Sequence, residues 1–152
     1  MSSTEKPRTP TQAVEEFVHT YNEHDMAANH ALLDPAFVRY GQTTGWQPMG
    51  YESYRGIFAP FLAAFPDFHW ELSNLVANGE WVAVEVIETA TFKAAYEYKP
   101  GITIEPTGRS YACHYAIFFK VRDGLITEYR FYEDASFMTQ LGIDAGSIRL
   151  NT

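Results

Sequence analysis

The sequence predicts an α+β fold: a curved, cone-shaped antiparallel sheet covered by three N-terminal helices, with a short helix after the last strand. Three observations carry this prediction. Helical spacing of apolar residues is confined to the chain before Phe68, the period shortens towards two from Phe68 onward, and two long strand pairs meet at the Gly-containing turns Asn78-Gly79 and Asp123-Gly124. A strongly curved sheet closed by helices encloses a cavity. The aromatic content of 16% supplies side chains large enough to line it.

Thr9-Pro10-Thr11-Gln12 predicts the start of the first helix, with Thr9 as N-cap, Pro10 in the first helical position and Gln12 completing a capping box. Val14, Phe17, Val18 and Tyr21 then recur on one face, which is expected to lie on the sheet. Asp25 caps a second helix running to Leu33, and Asp34-Pro35 ends it, because the residue before proline disfavours the α region. A short strand is expected at Phe37 to Tyr40, then a loop from Gly41 to Gly50 carrying Trp46. A third helical region begins near Tyr51 and is kinked or split by Pro60.

Phe68–Ala77 and Glu80–Phe92 form the first predicted strand pair, and Ser110–Val121 and Leu125–Asp134 the second. Between them, Lys93 to Gly108 holds Pro100-Gly101 and Pro106-Thr107-Gly108, which look too broken for regular structure and suggest a pocket rim. Ala135–Leu141 is expected to be a short helix stopped by Gly142. The expected organisation is a disordered tail over residues 1–8, one domain over 9–142 and a C-terminal tail over 143–152, mobile unless docked on a partner subunit.

The net charge of −8, spread along the chain, argues against a nucleic-acid or anionic-membrane partner, because both call for a basic surface. The N-terminus lacks an apolar signal region and no run reaches the length of a membrane span, so a soluble cytoplasmic protein is expected. Cys113 is the single cysteine, which excludes an intrachain disulfide and a thiolate metal cluster. His19, Glu23 and His24 spell H-x-x-x-E-H, one residue longer than the inverted zinc motif, and on a helix the two histidines diverge. No metal and no cofactor are expected.

The segments AFPDFHW (Ala64–Trp70), Glu80–Val86, PTGRS (Pro106–Ser110) and VRDGLITEYRFYED (Val121–Asp134), followed by TQLG at Thr139–Gly142, together resemble the SnoaL-like polyketide cyclases. That group shares the cone-shaped fold of nuclear transport factor 2 and ketosteroid isomerase, and the resemblance runs from about Thr11 to Gly142. It implies a cofactor-independent, acid–base intramolecular aldol closure of a small hydrophobic polyketide-like substrate. An aspartate near the end of the last strand would be the acid–base group, a position matched by Asp134, assisted by a histidine on the preceding strand, for which His114 stands here. The positions of the isomerases' tyrosine and aspartate hold Phe17 and Tyr40, so isomerase chemistry of that type is not expected.

The residues themselves leave alternatives open. Asp134 is equally suited to cap the helix that follows it, and His114 to a structural strand position. Tyr40, Trp46, Trp70 and Tyr132, with Phe58 and Phe119, are candidates to line the substrate pocket or to pack the core. A hydrolase or dehydratase is the alternative enzyme; epoxide opening would use a second carboxylate and an arginine, for which Glu85, Asp67 and Arg130 are candidates. A non-catalytic small-molecule-binding domain is the third possibility. A homodimer through the outer sheet face is expected.

Overall fold

The computed structural model describes residues 6–151. The expected N-terminal tail therefore lies mostly outside the described residues, and Arg8 passes over the Asp123-Gly124 turn. Helix α1 (Pro10–Asn22) opens on the predicted capping box, with Gln12 N–H donating to Thr9 Oγ1 at 3.1 Å and Thr9 N–H to Gln12 Oε1 at 3.0 Å. Its buried face, Ala13, Val14, Phe17, Val18 and Tyr21, lies on the sheet, where Phe17 meets Phe119 with ring centroids 5.3 Å apart.

Helix α2 (Met26–His30) is capped by Asp25 and ends earlier than expected. Strand β1 (Leu33–Gly41) begins where the helix was expected to finish, because Leu33 already pairs with Ile126 and the carbonyl of Leu32 accepts from the Ile126 N–H. Pro35, which has no N–H to give, falls in the register shift between Leu33 and Val38, and Asp34 Oδ1 accepts from Ala36 N–H at 2.8 Å to hold that bend. After a 3₁₀ turn (Gln42–Thr44) and the two-residue strand β2 (Met49–Gly50), helices α3 (Tyr51–Gly56) and α4 (Phe58–Ala64) replace one continuous helix. The split falls four residues before Pro60, where the missing donor would have bonded the Gly56 carbonyl.

Strands β3 (His69–Asn78), β4 (Trp81–Thr91), β7 (Ser110–Arg122) and β8 (Leu125–Tyr132) form the two predicted hairpins. Asp123 and Gly124 both take positive φ, at 52° and 77°, the conformation that a two-residue hairpin turn requires. The main sheet runs β2-β1-β8-β7-β4-β3. Its one parallel seam among the described strands joins β1 to β8, so the expected antiparallel sheet is mixed there. Irregularities between Leu72 and Asn74 and between Lys120 and Val121 accompany its curvature.

The region 93–108 is more ordered than its prolines and glycines suggest. Strands β5 (Tyr96–Lys99) and β6 (Ile102–Ile104) make a hairpin across Pro100-Gly101, and the C-terminal strand β9 (Ile148–Leu150) pairs with β6. The chain end thus docks on its own hairpin. Helix α5 (Phe137–Leu141) lies against β7, with the Gln140 amide bonding both the N–H and the carbonyl of Ala112, at 2.8 and 2.9 Å.

Candidate functional site

Alternation along β4 decides where the chemistry sits. Val82, Val84, Val86, Glu88 and Ala90 all face the concave side and are buried, so one carboxylate interrupts an apolar row. Glu88 is 6% exposed. Its strand partner Trp70 donates its indole N–H to Oε1 at 2.8 Å, and the Tyr111 hydroxyl donates to Oε2 at 2.9 Å. Burial pushes the Glu88 carboxyl up to about 7, because desolvation penalises the charged form; the hydrogen bonds from Trp70, Tyr111 and Tyr115 pull the other way and limit the rise. Tyr111 and Tyr115 are themselves pushed up, first by burial and then by the neighbouring Glu88 charge, so both phenols remain protonated donors at neutral pH.

Glu88 opens into a cavity of about 430 Å³. This lies within the size range of small organic ligands. Phe58, Phe61 and Phe65 from the α4 region form one wall, Tyr115, Tyr129 and Phe131 from β7 and β8 the opposite one, and Tyr96, Tyr98 and Ile104 from the β5–β6 hairpin the rim. The broken region 93–108 is therefore a rim, built from paired strands. Phe137 and Met138 of α5 flank the opening.

Arg39 enters the cavity from β1, on the same face as Phe37 and Gly41. Its guanidinium carbon lies 5.3 Å from the ring centroid of Phe131 and 5.7 Å from that of Tyr129. Glu133 Oε1 stands 4.0 Å away and accepts the Thr43 hydroxyl at 2.6 Å. The strand ends at Tyr132, so simple alternation no longer applies to Glu133 and Asp134, and both line the cavity mouth.

Of the residues singled out from sequence, the structure brings Asp134, Trp70 and Phe58 to the cavity. Asp134 is held as a turn acceptor: Oδ1 takes the Ser136 N–H at 2.9 Å and Oδ2 the His114 backbone N–H at 3.2 Å. The Ser136 side chain first, and then these two backbone bonds, hold its carboxyl below the usual aspartate range. His114 projects its side chain from the outer face of β7, between the inward Cys113 and Tyr115. Phe119 is wholly buried beneath the cavity, against Phe17 and Tyr129.

Tyr40 and Tyr132 sit on the outward phase of their strands; Tyr40 lies under Arg130, and Tyr132 packs on the exposed Trp46 at 4.9 Å. The side chains named for epoxide opening are also outside. Glu85 faces outward and bonds Asn74, Asp67 accepts from Thr91, and Arg130 pairs with Glu128 at 2.8 Å. Glu88 and Arg39 were missed, although strand phase marks both: Glu88 shares parity with Val82, Val84 and Val86, and Arg39 with Phe37.

The family model of the SnoaL-like domain matches residues 14–129. AclR from Streptomyces galilaeus, a candidate hydroxylase, superposes with a TM-score of 0.76 at 21% identity, over 88% of this chain and 95% of its own. IdmH from Streptomyces antibioticus, a candidate polyketide cyclase, superposes with a TM-score of 0.76 at 23% identity, over 90% of this chain and all of its own. An LEH-like epoxide hydrolase from M. tuberculosis gives a TM-score of 0.63 at 18% identity, over 88% of this chain and 86% of its own. At such identities the likeness establishes the fold and leaves the reaction to the site. No curated protein matches the chain by sequence.

Proposed function

The chain belongs to the SnoaL-like domain family, and from that premise we propose a cofactor-independent acid–base enzyme that closes a ring within a small hydrophobic, polyketide-like substrate. The observation that carries this reading is the buried carboxylate of Glu88 opening into an aromatic-walled cavity, with a pKa of about 7. A general base works best when its pKa lies near the working pH, since both protonation states are then populated.

The ionised Glu88 carboxylate removes a proton from the carbon next to a substrate carbonyl. The resulting enolate attacks a second carbonyl of the same molecule, forming the new carbon–carbon bond, and the alkoxide left there takes a proton back from Glu88. Substrate and product of this aldol step have equal mass and no water is consumed. Trp70 and Tyr111 fix the carboxylate for both transfers through their 2.8 and 2.9 Å hydrogen bonds. Asp134 is in this scheme the anchor of the turn that carries α5 over the mouth.

The test is incubation with linear poly-β-ketone esters, followed by mass spectrometry. A cyclised product of unchanged mass, lost in Glu88→Gln, is expected. A product that has gained one water would identify a hydrolase, and unconverted but tightly bound ester would identify a binding domain; either overturns the proposal. We also keep the homodimer as a proposal, through the outer-face aromatics Trp46, Phe118 and Tyr132, each more than a third exposed. Light scattering of Phe118→Asp would then show a monomer.

A further inference from the structure

Arg39 is 7% exposed and is the one cation among the described residues that line the cavity. A guanidinium carries five N–H donors, and burying it without acceptors is costly. Among the described residues no protein atom accepts a hydrogen bond from it. Its ion pair with Glu133 is 4.0 Å long, whereas Arg130–Glu128, Arg122–Glu80 and Arg149–Glu105 close to 2.8, 3.0 and 3.1 Å in the same molecule. Glu133 thus offsets the charge at a distance while its near oxygen is engaged by Thr43.

Packing keeps the group in this position. Phe131 and Tyr129 lie beneath the guanidinium, and a Cβ at Gly41 would meet Nη1 at 3.1 Å, so glycine there leaves the group its space. A planar cation held on aromatic faces presents its N–H edge, which suits an acceptor with two coplanar oxygens.

We propose that Arg39 seats an anionic ligand in this cavity, and that the natural substrate carries a delocalised two-oxygen anion, a carboxylate or the enolate of a 1,3-dicarbonyl, on an apolar aromatic-sized body. This rests on the cavity being the substrate site, and it defines the substrate class that the cavity takes. Arg39 binds and orients; it takes no proton.

The test is equilibrium binding of 2-naphthoate against its neutral isostere 2-naphthamide, read by ligand fluorescence. The native protein should prefer the acid by about tenfold or more, the scale of a charge-assisted hydrogen bond. Arg39→Met should abolish the preference and Arg39→Lys retain part of it. Equal affinities, no binding of either probe, or a preference that survives Arg39→Met would overturn the proposal. Should Arg39→Met not fold, the Nε–H NMR signal of Arg39 in the native protein, assigned with Arg39→Lys, decides: it shifts with naphthoate and not with naphthamide, and an unmoved signal overturns the assignment. Failure of the ring-closing reading would leave this binding preference intact, so the two fail separately.

Discussion

Trp70 and Glu88 are paired across neighbouring strands, and the indole N–H of the first donates to the carboxylate of the second at 2.8 Å inside an otherwise apolar layer. Several measurable properties of the protein depend on this pair.

Glu88 makes stability fall as pH rises. Its folded pKa, about 7, is above the ordinary value of 4.5, so the folded state holds this proton more tightly than the unfolded chain does. The contribution is full below the unfolded pKa, declines between the two values and is gone above about 7, a loss of about 3 kcal/mol. Glu88→Gln should match the native protein in urea unfolding at about pH 4, below the unfolded value, and exceed it by about that amount at about pH 9. Equal stabilities at the higher pH would contradict a desolvated carboxyl.

Carboxyl-detected NMR should separate Glu88 from Asp134, two of the three carboxylates that line the cavity. Glu88 is expected to titrate near 7 and Asp134 below its ordinary value of 3.8, held there first by the Ser136 side chain and then by the Ser136 and His114 N–H groups. The sign for Asp134 is the reverse of that for Glu88: its contribution to stability is present above the unfolded pKa and is lost as pH falls through the folded one. Asp134→Asn should therefore destabilise the protein at neutral pH and lose that difference in acid. An Asp134 midpoint above Glu88's would exchange their proposed roles.

Trp70→Phe removes one of the donors that favour the charged form of Glu88. The Glu88 pKa should move above about 7, and stability should drop by about 1–3 kcal/mol at pH values where Glu88 is ionised. The NMR titration that locates Glu88 in the native protein measures the shift, and a pKa that falls would show that the indole does not support the carboxylate.

Ending the chain after Ser147 removes β9, together with the bonds from Asn151 to Gly101 O at 2.8 Å and Thr103 Oγ1 at 2.9 Å. Hydrogen exchange at Ile102–Ile104 should quicken while β4 and β7 keep their protection. Unchanged exchange at Ile102–Ile104 would mean that the rim does not depend on the terminal strand.

Much of the fold was legible because its signals are local. The Thr9 capping box, the Pro60 split and the Asp123-Gly124 turn each depend on a few adjacent residues, and the structure shows all three. The β5–β6–β9 sheet was not legible, because β9 finds its partner far back in the chain.

The site shows the same division. Choosing Tyr40, His114, Tyr132 and Glu85 for their chemistry put each on the outer phase of its strand, while the neighbouring rhythm of Phe37, Tyr115, Phe131 and Val86 marked the inner phase. Glu88 follows that inner rhythm and carries a polar group into it. Strand phase was the available signal. The exposure of Glu133 and Asp134 to the mouth was beyond it, since the strand stops just before them.

The parallel seam between β1 and β8 sets when the protein can acquire its shape during synthesis. Residues 33–41 must wait for residues 126–131, and Phe17 on α1 waits for Phe119 and Tyr129. A nascent chain therefore carries the β8 edge of β1 open, and the side of Phe17 that meets Phe119 and Tyr129 uncovered, until residues 119–131 have emerged, and pairings so distant along the chain form slowly. A chain interrupted before β8 is left with an open, adhesive edge along β1.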